Sequence, residues 1–103
     1  DYPRFLEANR RFHFTIYEAA GSRYLINMIA GLWDLAERYR YRYMFLKDRA
    51  DVIQGEHRAI LAACQAHDAA ALRQAISAHM NHTLEGVRAY LIAEQDLPES
   101  EAD

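Results

Sequence analysis

The chain has 103 residues, 51% of them hydrophobic, with a formal net charge of −3 and a pI near 5.9. That is enough apolar material for one packed domain or part of one, but the acidic balance excludes the basic footprint that grips a nucleic-acid backbone. The single cysteine, Cys64, excludes an internal disulfide and fits a reducing cytosol, and no apolar run approaches the ~20 residues of a membrane span.

Two prolines and four scattered glycines favour long helices over many short strands. The first predicted helix runs from about Tyr2 to Ala20, with Asp1 as its cap and Pro3 in the first turn, where a missing N–H costs nothing. Gly21 offers a left-handed stop, and Ser22 caps a second helix over about Arg23 to Leu46. A polar break at Lys47–Ala50 follows. Asp51 with Gln54 resembles a capping box opening a third helix, to about Ala66. His67 and Asp68 connect it to a fourth, from Ala69 to about Asp96, with Asp68 as cap. Pro98 and the acidic run Glu99 to Asp103 end the chain.

Residues three and four apart share a helix face. The first helix carries the stripe Phe5, Asn9, Phe12, His13, Ile16, Ala20. The third carries Ile53, His57, Ile60, Cys64, and the fourth Leu72, Ile76, His79, Thr83, Val87, Leu91. On each stripe a histidine stands where the pattern asks for a core residue. The second helix is apolar on more than one side, which predicts a central position. Its face Met28, Leu35, Arg38, Arg42, Phe45 sets two arginines among large apolar residues. Phe12, Trp33, Tyr39, Tyr41, Tyr43 and Phe45 read as core or interface, and Arg10, Arg40 and His67 as exposed.

A buried imidazole needs a partner. Three imidazoles converging in a bundle interior, with Asn9 one turn before His13, could hold a first-row divalent ion and leave positions open for water or a ligand. Equally, each histidine could be a core residue bonded to a neighbour. His82, one turn from His79, fits either a supporting place or plain surface. Arg38 and Arg42 could grip the carboxylate of a small organic acid with paired hydrogen bonds; the competing reading pairs them with Glu7, Glu18 or Glu37, or sends them to solvent. The chain has no His-Glu-x-x-His helix, no Glu-x-x-His pair and no glycine-rich phosphate loop. Cys64 has no sign of an activated thiolate. Glu56 is adjacent to His57 in the sequence and so points about a quarter-turn away from it, leaving no general base beside a metal.

The segments Asn9 to His13 (Asn-Arg-Arg-Phe-His), Glu18 to Ser22 (Glu-Ala-Ala-Gly-Ser), Glu56 to Leu61 (Glu-His-Arg-Ala-Ile-Leu) and Ala78 to Met80 (Ala-His-Met) follow one another in register. Together they resemble the C-terminal effector domain, the FCD domain, of FadR-subfamily GntR transcription regulators of bacteria, over about Phe5 to Tyr90. The resemblance implies an all-α fold, an antiparallel helical bundle forming part of a six- or seven-helix domain. It implies that His13, His57 and His79 are metal ligands, with Asn9 where the family more often has Asp, and zinc or nickel as the metal. The family domain has further helices before this region and a winged helix-turn-helix before those. Residues 1–103 are accordingly read as the C-terminal portion of an effector-binding and dimerisation domain, with DNA bound only through the missing N-terminal part.

The expected function is sensing by a cytoplasmic homodimer without enzymatic activity. A small carboxylate meets the metal and Arg38 or Arg42 and modulates DNA binding. The competing classes are a metal-dependent hydrolase or lyase on a helical bundle, and a metal-free dimerisation module.

Overall fold

A computed structural model of the chain describes residues 2–44 and 49–95. Four helices account for nearly all of them: α1 (Tyr2–Ala19), α2 (Arg23–Met44), α3 (Arg49–Gln65) and α4 (Ala69–Gln95). The fold is all-α, as the patterning predicts, with no strand among the described residues. The predicted cap Asp1, the α2 face residue Phe45, the start of the polar break at Lys47 and the end from Asp96 to Asp103 lie outside the described residues. So do the side chains of Tyr41 and Tyr43.

The chain divides into two units, Asp1–Tyr41 and Arg42–Asp103, with the boundary inside α2. In the first unit, α1 stops where Gly21 takes a φ of 79°, a left-handed backbone that glycine adopts without a side-chain clash. The Leu25 amide then donates to Ser22 Oγ at 3.3 Å, so Ser22 caps α2. Helices α1 and α2 meet around Arg10–Phe14 and Trp33–Asp34. Arg10 pairs with Asp34 at 2.9 Å, and the Phe14 and Trp33 rings sit edge to face with centroids 5.3 Å apart.

The buried face of α2 is Ile26 and Trp33, with Ile29, Ala30, Ala36, Glu37 and Arg40 half-buried along the same side. The predicted face of Met28, Leu35, Arg38 and Arg42 is instead exposed, Leu35 to 74%. Leu25, Leu32 and Tyr39 extend that exposed stripe. Both faces of α2 carry apolar residues at helical spacing, so periodicity alone did not decide between them. The cluster of aromatic rings on α1 takes the side bearing Trp33.

In the second unit, α3 and α4 form an antiparallel helical hairpin. Its turn is Ala66, His67 and Asp68, with His67 at φ 54°. Asp68 caps α4 as predicted, its Oδ1 accepting from the Ala71 amide at 3.0 Å. Helix α3 begins at Arg49, two residues before the predicted cap Asp51. Asp51 therefore sits in the first turn, where its negative charge faces the positive end of the helix dipole. Ile53, Ile60 and Ala63 are the buried seam of α3, and Ile60 is fully enclosed.

Candidate functional site

On α1, Asn9 and His13 lie one turn apart and are both buried, His13 to 3% exposure. The His13 ring meets Trp33 at 5.5 Å between centroids, Phe12 at 5.3 Å edge-on and Tyr17 at 6.2 Å stacked. Burying two polar side chains on one apolar stripe costs free energy unless each finds a partner.

On the α3–α4 hairpin, His57 and His79 face each other with ring centroids 4.9 Å apart. A ring nitrogen of one lies within 4.8 Å of a ring nitrogen of the other. His79 is buried and His57 half-buried. Burial, reinforced by the neighbouring His79, pushes the His57 pKa down to about 4, against a partial opposing pull from Glu56. His57 is therefore neutral at ordinary pH, the form an imidazole must take to ligate a metal.

Glu56, taken from the sequence to point away, bridges His79 and His82. Its Oε1 lies 2.8 Å from His79 Nδ1, and its Oε2 contacts His82 Nδ1. A carboxylate only accepts, so each Nδ1 carries the proton and donates. His79 is thereby fixed in the tautomer protonated at Nδ1. The carboxylate–imidazole contact is the arrangement by which proteins orient metal-binding histidines. The signal for Glu56 was present in the sequence, in Glu56 preceding His57 and in His79 and His82 three apart. It becomes readable only once α3 and α4 are placed antiparallel. His82 is exposed, as is His67.

The arginines are arranged differently from expectation. Arg38 and Arg42 are exposed on the outward stripe of α2, Arg38 lying 5.7 Å from the Tyr39 ring. Arg40, read from the sequence as exposed, is the one drawn in. Its side chain is 18% exposed, its guanidinium sits 3.7 Å over the Trp33 ring, and its Nη1 donates to Glu37 Oε2 at 3.0 Å. Glu37, a proposed partner of Arg38 or Arg42, is thus taken by Arg40, and Glu7 pairs with Arg11.

A shallow groove of about 760 Å³ also runs along α3 and α4 between Ala59 and Ala78. Its walls are alanines with Asp68 and Gln74 and contain no imidazole or cation. No helix of the described residues is long and apolar enough to cross a membrane.

The FCD domain profile matches residues 1–82, four-fifths of the chain. The chain belongs to the FCD domain family, the ligand-sensing domain of GntR-type transcription regulators. Such a domain is regulatory and effector-binding, not catalytic, works beside a DNA-binding domain, and often binds a metal. Neither a curated protein nor a solved structure matches the chain.

Proposed function

We propose that the chain is the effector-sensing and dimerisation domain, in its C-terminal portion, of a cytoplasmic bacterial regulator of the FadR subfamily. A divalent transition metal, zinc or nickel, is held by His13, His57 and His79 with Asn9, and the effector is a small organic acid. The observation that carries the reading is the His57–His79 pair, neutral at His57 and oriented at His79 by Glu56, in a chain of the FCD family. The buried Asn9 and His13 on α1 supply the donor types that complete a nitrogen- and oxygen-rich set.

When bound, the metal supplies a positive centre to which a carboxylate can coordinate. The chain's own residues do the rest. Glu56 fixes the tautomer of His79, burial keeps His57 unprotonated, and the aromatic wall around His13 keeps water from competing. An effector shifts the regulator between DNA-binding states only through its different affinity for them. Homodimerisation is supported by the exposed stripe of Leu25, Met28, Leu32, Leu35 and Tyr39, a surface whose hydration a second copy would relieve.

The test is elemental analysis after reconstitution with zinc or nickel. About one equivalent is expected, as for a histidine-ligated site. His57→Leu and His79→Leu should each lower it. A content near zero for both metals overturns the metal reading and leaves hydrogen-bonded core histidines. Size measurement in solution tests the dimer, and a monomer at all concentrations overturns that part.

A further inference from the structure

An arginine taken out of water needs more than one hydrogen bond. Of the five N–H groups on the Arg40 guanidinium, one is bonded to Glu37, which is itself 40% exposed and drawn partly toward solvent. The guanidinium covers the indole of Trp33, which is 6% exposed and whose Nε1 is buried with no hydrogen-bond partner. An orphaned indole N–H is a cost the fold carries for nothing unless something accepts from it. Burial lowers Arg40 from the usual arginine value, with Glu37 opposing. Arg10 is engaged with Asp34, so it does not compete for the same partner. All these groups belong to α1 and α2 within the first unit.

We propose that Arg40, with the Trp33 indole N–H beside it, forms a carboxylate subsite that takes one carboxylate of a small organic acid. The ligand oxygens accept from the spare edge of the guanidinium and from the indole, the two donors the fold leaves without an acceptor. The inference rests on the effector-sensing reading above and moves the arginine role from Arg38 or Arg42 to Arg40.

Trp33 is the chain's single tryptophan, so its fluorescence reports on this subsite, and the titrations without zinc separate it from changes at the neighbouring His13. The probes are acetate, succinate and benzoate, each against its amide, titrated into the full chain with and without zinc. The expected result is a saturable change in Trp33 emission with the acids and none with the amides. Arg40→Met should weaken the acids about ten- to a hundredfold, the range for a hydrogen bond to a charged group. Arg40→Lys keeps the charge but loses the planar fork, and should fall between the two. It also guards against a folding defect in Arg40→Met, as circular dichroism of both variants will show. Arg23→Gln, an exposed change at the start of α2, should bind as the parent does. Acid binding unchanged in both Arg40 variants, or lost in Arg38→Gln or Arg42→Gln instead, overturns the subsite and leaves the effector reading standing. No acid binding to the parent chain, with or without zinc, overturns the subsite and the organic-acid reading together. The metal content measured separately still decides the metal reading.

Discussion

Replacing Glu56 by glutamine tests the arrangement of the hairpin histidines most directly. The carboxylate receives a charge-assisted bond from His79 at 2.8 Å and a second from His82, and its side chain is only 14% exposed. A bond to a charged group contributes about 1.5–3 kcal/mol and a neutral one about 0.5–1.5. Glutamine can still accept from one ring, so the buried bond to His79 weakens by about 1–1.5 kcal/mol. The bond to exposed His82 adds little, since solvent screens it. If His79 is a metal ligand, that loss passes to the metal, because the carboxylate both fixes the ring and makes Nε2 a better electron donor to the ion. Since ~1.4 kcal/mol is tenfold, the zinc Kd of Glu56→Gln should rise about tenfold. Glu56→Ala, which loses both bonds, should approach the hundredfold end of the range for residues supporting metal ligands. Competition against a chromophoric chelator at pH 7.5 or above measures this, where His57 is neutral in all variants. His82→Ala should change the Kd less than threefold. Zinc bound as tightly by Glu56→Ala as by the parent would refute the reasoning and leave Glu56 a stabiliser of the hairpin only.

The metal-free chain should lose stability on acidification through His57. Its folded pKa is about 4 against an ordinary 6.5, so between those values the unfolded chain binds a proton that the folded chain refuses. Stability is then full above about pH 6.5 and falls toward pH 4. Screening at a half-buried ring reduces the loss to about 1–2 kcal/mol, and urea titrations that show no smaller pH dependence for His57→Gln would contradict it. Ile60→Ala should cost ~3 kcal/mol, the usual range for emptying an enclosed aliphatic site; urea unfolding reads it, and a loss below 1 kcal/mol would mean the α3–α4 seam collapses to fill the gap. Asn9→Asp should tighten zinc, because an anionic oxygen serves a cation better than an amide; chelator competition showing unchanged or weaker binding would place Asn9 away from the metal.

The helices, the Gly21 stop and the caps Ser22 and Asp68 were legible because each rests on local chemistry that a few adjacent residues determine. The histidine stripes were legible for the same reason. A polar residue breaking an apolar repeat of three and four is visible without knowing what packs against it, and Asn9, His13 and His79 are indeed buried. The inward face of α2 was not legible. Leu25, Met28, Leu32 and Leu35 keep as regular a spacing as Ile26, Ile29 and Trp33, and only the neighbour on the Trp33 side decides which set is covered. Arg40 was misread along with that face, since its place over Trp33 follows from the turn of the helix that Trp33 occupies. Glu56 was missed because its role joins residues 23 and 26 positions apart, and no periodicity within one helix reports a contact made across a hairpin.

The three-residue turn at Ala66–Asp68 has a consequence for how a metal would arrive. Because α3 and α4 are consecutive and antiparallel, His57 and His79 are brought face to face by the hairpin itself, before any ion is present. An ion caught by one imidazole then meets the second as an intramolecular partner, at an effective concentration far above that of free histidine in solution. The ordering of those two side chains has already been met by folding, so little remains to be subtracted from the binding free energy. Loosening the turn should therefore show itself first in how fast the ion leaves: with His67 at φ 54°, even a change three helical turns from the imidazoles would shorten its residence.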